Sequence, residues 1–453
     1  MAKNLTLQTF IADGTWTAPA GVTSVKIKVY SGFEYFFQQS GDVAGWPDNA
    51  GNFWTWGLGS QGGLGNNQIQ SFSSPTLVQG ATQPIKFAAA SLPGGVDNNG
   101  DIWTFGQATL GQTGQNVTTS TSIPTVVVGG KKWAKVFSSK YPEGTGAGAI
   151  MYAIDTAGDA WAWGYNNAGA LGDGTVTGRS SPVQILGSKK FKQISASGGA
   201  AHAVGVDTSG VAWAWGMNQS GQVGDNSVVA KSSPVAVVGG KSWKQIVAGG
   251  GSSSQGFCIG LDTAGAAWAW GFNGNGQLGD NSVTPRSSPV AVVGGKTWIY
   301  VNACGYAATA YGIDSSRDGY AWGGGFYGTL GDGTLTSKSS PVLIAGGKKW
   351  LAIAGSGAAT YGITTTGEMY AWGRNQAGQL GDATVADKSS PVLVVGPKSW
   401  RILDRFLNNE ITLTVVPNTA YTVTMKASVL RFGDTIVAQD VLGDPQIIVE
   451  YFT

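Results

Sequence analysis

"DAWAWGYNNAGALGDGTVTGRSSPVQILG" (Asp159–Gly187) holds the pattern that decides the fold. Two tryptophans stand two residues apart, so in an extended chain both side chains leave the same face. A glycine follows, then a turn-rich stretch, then Ser-Ser-Pro and an apolar run. This order returns along the chain. Aligned on the glycine after the aromatic pair, it recurs at Gly57, Gly106, Gly164, Gly216, Gly271, Gly323 and Gly373, in steps of 49, 58, 52, 55, 52 and 50 residues. Sixteen of the 18 tryptophans occupy repeat positions, either just before that glycine or opening the next unit (Trp133, Trp243, Trp298, Trp350, Trp400). Only Trp16 and Trp46 stand outside. A period of this size signals a propeller or a solenoid.

Each unit reads as four short strands. Between Phe191 and Gly239, "FKQISAS" alternates as a first strand and "HAVGVD" is a second. The turn Asp207-Thr208-Ser209-Gly210 closes it, with glycine at a left-handed position. "VAWAWG" is a third strand and "SPVAVVG" a fourth, with Pro234 at its start, where no ladder hydrogen bond is lost. Such a sheet has two apolar faces and must be covered by its neighbours. A ring of sheets does this and leaves only short edges. The expectation is a seven-bladed β-propeller with the aromatic pairs wedged between blades. Burial of each tryptophan would contribute about 1.5–3 kcal/mol.

Composition agrees with an all-β chain. Of 453 residues, 72 are glycine, 42% are hydrophobic and 12% are charged. The net charge of +2 gives no electrostatic footprint for nucleic acid or an anionic membrane. No apolar run approaches the ~20 residues that span a bilayer. The first residues lack a signal peptide's apolar stretch, and two cysteines cannot frame a disulfide scaffold, so synthesis in a reducing cytoplasm is expected.

The aromatic-Trp-Gly, the "GQLGD" segments at Gly276–Asp280 and Gly378–Asp382, the Ser-Pro step and Cys304-Gly305 resemble the regulator-of-chromosome-condensation repeat family over residues 25–400. The resemblance implies the propeller fold. For function it implies only a range, because the family includes exchange factors for a small GTPase, chromatin binders and a secreted β-lactamase inhibitor. The family's histidine after Cys-Gly survives at most near His202, and no basic tail suits chromatin.

Residues 1–24 and 401–453 do not fit the repeat. Gly14 to Val25, and later Pro417, Tyr421, Thr422, Val423, Val449, Glu450 and Tyr451, resemble the opening and closing strands of glycine-rich tail-fibre and appendage domains of bacteriophages. The resemblance implies one small β-sandwich-like anchor domain, formed by residues 1–24 and 401–453, with the propeller (25–400) inserted. Val25–Gly32 aligns with Phe191–Gly198, and Trp400-Arg401-Ile402-Leu403 aligns with the same strand, so the chain is expected to enter and leave the ring at one seam.

Chemistry is sparse. An aspartate and a cation six residues on recur as Asp173/Arg179, Asp225/Lys231, Asp280/Arg286, Asp332/Lys338 and Asp382/Lys388. They read as loop ion pairs, with a rim of charge for a partner as the other reading. Asn66 and Phe72 replace the pair in the first unit, and an insertion is expected to displace it in the second. Asp173-Gly174-Thr175 and Asp225-Asn226-Ser227 lack the alternating carboxylates of a calcium loop. Cys258, Cys304 and His202 are too few for zinc. No spacing picks a catalytic pair from Glu34, Asp42, Asp48, Glu143 and Asp318. No enzyme, metal or cofactor is therefore expected.

What varies between units is the loops, where repeat scaffolds carry binding. The candidate ligand-binding residues are Tyr35, Phe36, Trp46, Tyr141, Tyr306, Phe326, Tyr327 and Arg374. The terminal resemblance implies a bacteriophage virion protein (tail fibre, receptor-binding appendage or head fibre). Its ends would join other virion proteins, and its propeller would bind a host surface protein or glycan non-covalently. A homo-oligomer is allowed. The alternative is a cellular protein-binding propeller, such as an inhibitor, an adaptor or an exchange-factor-like protein.

Overall fold

A computed structural model describes residues 5–10, 14–17, 24–30, 43–47, 53–57, 62–70, 72–79, 85–87, 94–97, 99–139, 150–197, 201–250, 255–304, 308–356, 358–366, 368–376, 380, 382, 384–394, 409–414, 420–431, 435–439 and 446–452. The chain forms two compact units. One comprises Met1–Phe36, Asp48–Gly51 and Ile402–Thr453, and the other Phe37–Pro47 and Asn52–Arg401.

The larger unit is a series of small antiparallel sheets, each a meander of consecutive strands. The first has three strands, Val43–Pro47, Phe53–Gly57 and Phe72–Leu77. Six four-stranded sheets follow among the described residues. The sheet of Phe191–Ser197, His202–Asp207, Ala212–Gly216 and Lys231–Ala236 represents them. Gly210 takes the expected left-handed backbone (φ 84°) in the hairpin after Asp207. Pro234 lies inside the fourth strand, where the register slips between Ala214 and Gly216. The proline sits at a bulge, so the missing N–H removes no ladder bond.

The aromatic pair divides its work. The second member is fully buried and reaches into the preceding unit. Its indole N–H donates to a loop carbonyl there: Trp163 to Gln112, Trp215 to Ala170, Trp270 to Gln222, Trp322 to Gln277 and Trp372 to Thr329, at 2.8–3.1 Å. The first member lies at the margin of its own sheet. Trp103, Trp161, Trp213 and Trp268 donate to the hairpin aspartate of their own unit at 2.9–3.0 Å. A lysine covers that aromatic ring in five units, at 3.2–4.1 Å from the centroid. The tryptophans that open units pack flat on the second strand. A Cβ on Gly260, Gly312 or Gly362 would collide with the ring of Trp243, Trp298 or Trp350.

Two glycines in each "GQLGD"-type segment make the junction with the next unit. The first, as at Gly221, lies against the next unit's Ser-Ser-Pro strand, where an added Cβ would meet Ser287 Cα at 2.5 Å. The second, as at Gly224, lies on the next indole, 2.6 Å from a Cβ to Trp270 Nε1. A backbone N–H then crosses the junction. Asn67, Asn116, Gly174, Asn226, Asn281 and Gly333 donate to Ser122, Ser180, Ser232, Ser287, Ser339 and Ser389 at 2.6–2.8 Å. First strands are also tied to each other: Gln193 Nε2 donates to Ile246 O, and Gln245 Nε2 to Val301 O, both at 2.9 Å.

In the smaller unit, four antiparallel strands pair in the order Leu5–Phe10, Gln446–Phe452, Ser24–Tyr30, Asn409–Thr414. The two terminal motifs meet. Gly14–Thr17 pairs with Ala420–Val423, and Lys26 stands opposite Glu450. Ser24–Tyr30 therefore belongs with the terminal strands, whereas its alignment with Phe191–Gly198 placed it at the start of the ring. An alternating seven-residue strand suits either sheet. Its partners, Asn409–Thr414 and Gln446–Phe452, come from far along the chain. The other half of that alignment, Trp400–Leu403, lies outside the described residues.

The junction can be tested with two glycines of left-handed backbone. Gly224 (φ +75°) faces Trp270, whereas around Gly239 (φ +102°) a Cβ would meet nothing within 4 Å. Gly239→Ala is expected to cost about 1–2 kcal/mol of backbone strain. Gly224→Ala adds displacement of the indole and its hydrogen bond, for a total of about 3–4 kcal/mol. Urea unfolding midpoints measure both; equal losses would refute the junction's role.

Candidate binding surface

The connection from third to fourth strand is the most organised loop of each unit. In four units a buried asparagine two residues after the repeat glycine holds it. Asn218 Nδ2 donates to Asp225 Oδ1 (3.2 Å), Ser227 O (3.1 Å) and Val229 O (3.1 Å), and its Oδ1 accepts the Val223 N–H (2.9 Å). Asn166, Asn273 and Asn375 make the same bonds in their units.

The five Asp/cation pairs close this loop. Nitrogen–oxygen distances are 2.8 Å for Asp173/Arg179, 3.1 Å for Asp225/Lys231, 3.2 Å for Asp280/Arg286, 3.8 Å for Asp332/Lys338 and 3.6 Å for Asp382/Lys388. Burial works to raise the carboxyl of Asp173, but the Thr175 hydroxyl, the Arg179 guanidinium and the Thr175 N–H outweigh it and hold it below the ordinary carboxylate range. Ser227 with Lys231 does the same for Asp225, and Ser282 with Arg286 for Asp280. These carboxylates are turned inward and are loop fasteners, not a rim of charge. In the second unit no insertion displaces the pair. Gln115 and Thr121 hold the two positions, because Asn116 reaches Ser180 as Gly174 reaches Ser232. The Gln115 amide donates to Thr104 O (3.0 Å) and Thr125 O (3.2 Å) instead.

His202 and Cys258 come together between two units, with Nε2 3.4 Å from Sγ. Both are buried, and burial pushes the Cys258 thiol up, away from a reactive thiolate. Among the described residues no three His, Cys, Asp or Glu side chains gather as metal ligands would.

Of the eight candidate binding residues, Phe326, Tyr327 and Arg374 form one cluster. Phe326 and Tyr327 are 51% and 37% exposed, and the Arg374 guanidinium lies 5.5 Å from the Tyr327 ring centroid. Trp46 lies in the strand Val43–Pro47. Tyr35, Phe36, Tyr141 and Tyr306 lie outside the described residues, as do Glu34, Asp42, Asp48 and Glu143. Asp318 is paired with Lys349 at 2.8 Å on a hairpin.

A further set was legible and not singled out. Three residues after the loop aspartate, or after Asn66 in the first unit, stand Ile69, Val176, Val228, Val283, Leu335 and Val385, all 61–71% exposed. An aliphatic residue at one constant repeat position outside every strand was the signal.

The comparisons with known proteins agree with this architecture. Residues 157–206, 209–254, 264–311 and 366–411 match the regulator of chromosome condensation (RCC1) repeat, and 191–222 match a second description of it. The chain thus carries repeats of this type. The ultraviolet-B receptor UVR8 of Arabidopsis thaliana is 32% identical over 218 residues, which is 46% of this chain and 48% of that protein. The human probable E3 ubiquitin-protein ligase HERC4 is 31% identical over 198 residues, 43% of this chain and 18% of that protein. The match therefore spans about half the length of the first relative and a fifth of the second. Among solved structures, Prp20p of Saccharomyces cerevisiae, described with its binding to Gsp1p and histones, superposes with a TM-score of 0.60 at 16% identity, covering 84% of this chain and 88% of that one. Human WBSCR16 gives 0.60 at 14%, covering 95% and 98%. The fold of the repeats is that of an RCC1-like propeller.

The loop fasteners carry a pH signature. Their folded pKa values lie below the unfolded value near ~3.9, so their contribution is complete above about pH 4 and is lost as pH falls through the folded values. The triple variant Asp173→Asn, Asp225→Asn, Asp280→Asn is expected to unfold at lower urea than the parent at neutral pH, and to lose less between neutrality and pH ~3. Asn218→Ala is expected to cost about 2–3 kcal/mol at all pH values, because the Val223 N–H and the Ser227 and Val229 carbonyls lose their side-chain partner.

Proposed function

We propose that this chain is a non-catalytic, protein-binding seven-bladed propeller of the adaptor or exchange-factor kind. In this reading the three-stranded sheet and the six four-stranded sheets are the seven blades. The observation that carries it is that one loop position keeps an exposed aliphatic side chain in six units, at Ile69, Val176, Val228, Val283, Leu335 and Val385. Loops on a repeat scaffold are where binding residues are carried, and apolar side chains there suit contact with a protein. Four of those loops, at Val176, Val228, Val283 and Val385, are held by the Asn/Asp fasteners, so little conformational entropy is lost when a partner covers them. The relatives support a protein partner. Yeast Prp20 is described with binding to Gsp1p and histones and in a complex with Kap60, and the matched relatives are cellular proteins.

A virion role, with a host protein or glycan as ligand, is the second reading. It rests on the terminal motifs and on the pairing of Gly14–Thr17 with Ala420–Val423. None of the relatives named above is a virion protein, so the cellular reading is preferred.

The test is cross-linking of the full chain in an extract of its source cells, with and without Val283→Ser, Leu335→Ser and Val385→Ser together. The parent is expected to capture a defined protein. The variant is expected to lose at least about tenfold of that capture, with a urea midpoint within about 0.5 kcal/mol per site of the parent. Capture unchanged by the three serines, or no protein captured at all, would overturn the proposal.

A further inference from the structure

The connection at Gly324–Gly328 departs from the pattern of four counterparts. In those the loop opens with a buried asparagine (Asn166, Asn218, Asn273, Asn375); here Gly325 stands in its place, followed by Phe326 and Tyr327. Tyr327 adopts φ 58°, ψ 9°. A bulky side chain in this left-handed region costs about 1–2 kcal/mol. Its counterparts Leu110, Ala168, Ser220 and Asn275 do not adopt that conformation. The strain holds an aromatic ring outward. Of the large apolar side chains exposed among the described residues, only Phe326 and Tyr327 are aromatic.

The neighbouring unit supplies a cation. Arg374 follows the repeat glycine Gly373, where other units carry Tyr165, Met217 or Phe272. Its Nε and Nη2 both donate to Gln376 Oε1, at 3.2 and 3.0 Å, which sets the guanidinium plane beside Tyr327. No carboxylate among the described residues lies within ion-pair distance of it. The loop cations Arg179, Lys231, Arg286, Lys338 and Lys388 are all paired. A charge of one sign, fixed and without a carboxylate partner among the described residues, beside two exposed rings, calls for the opposite charge next to an apolar group.

We infer that Phe326, Tyr327 and Arg374 form a docking point for a protein segment that presents a carboxylate beside an apolar side chain. This rests on the protein-binding reading above and names the chemistry of the partner. The carboxylate takes the Arg374 guanidinium, and the apolar side chain lies on Phe326 and Tyr327. The strain at Tyr327 is kept because relieving it would turn the ring away.

The experiment uses the full chain on an array of synthetic peptides that place Asp or Glu beside Leu, Phe or Trp. Matched peptides carry Asn or Gln in place of the acid. The parent is expected to favour the acidic set about tenfold, and Arg374→Gln to abolish that preference. Phe326→Ser is expected to weaken all retained peptides by a similar factor. Tyr327→Gly is expected to melt higher than the parent, as the strain is released, and yet to bind worse, an opposition that a purely structural residue would not produce. Leu186→Ser, at an exposed position after the fourth strand of another unit and outside the loop tips, is expected to leave binding unchanged. Retention without dependence on the acid or on Arg374 overturns this inference alone and leaves the protein-binding reading standing. Retention of glycans with a blank peptide array overturns both, as does the absence of any retained peptide. Self-association that Phe326→Ser abolishes would instead assign the patch to a second copy of the chain, and would overturn the inference too.

Discussion

The seating of one unit's loop on the next unit's tryptophan is the contact on which the rest of the structure depends. Each small sheet has apolar residues on both faces and would be marginal by itself. The second tryptophan of the pair fills the gap between sheets, and its N–H is satisfied by a carbonyl of the preceding loop, as Trp215 is by Ala170. An indole buried without that acceptor would forfeit about 1–3 kcal/mol. The loop can come this close only because glycine stands at both contact points, at Gly221 against Ser287 and at Gly224 against Trp270. Stability in such an array is a sum of unit and junction terms, and here the junctions carry much of it.

The same loop serves two ends. Its base makes the junction, and its crown is fastened by asparagine and aspartate. The polar residues that look most like chemistry are consumed in this. Asp173 is bonded to Asn166, Thr175 and Arg179, and has no capacity left for a metal or a substrate. What remains for a partner is the tip, where side chains face solvent and carry no structural duty. Function in this fold is therefore sought where the repeat stops being needed. The loop at Gly324–Gly328 goes further, since there the asparagine is given up and the Asp332/Lys338 pair closes the loop without it.

Much of this was legible in residue order. The four strands of a unit, the left-handed glycine of its hairpin and the inter-sheet place of one member of the aromatic pair follow from alternation and spacing; the other member lies at the margin of its own sheet, against the expectation that both wedge between units. The reading of the Asp/cation pairs as loop ion pairs follows too, because a fixed spacing of six residues points to one local geometry. The division of labour within the aromatic pair was not legible: Trp213 and Trp215 share a strand face, and only the neighbouring sheet decides which is buried. His202 gave no hint of Cys258, which lies in the next unit. Of the candidate binding residues, Phe326, Tyr327 and Arg374 could be picked as departures from the repeat, but their meeting across two units could not.

By itself, the sequence determined the kind of local unit, since strand period, turn chemistry and glycine placement act within a few residues. The tertiary structure alone decided which partners those units take. Ser24–Tyr30 alternates as well as any strand of the repeat, yet it pairs with Asn409–Thr414 and Gln446–Phe452. Pairing is a competition between surfaces that alternate equally well, and the winner depends on what the remainder of the chain brings alongside. The left-handed backbone of Tyr327 has the same origin, because a strained conformation persists only where the surrounding contacts over-determine it.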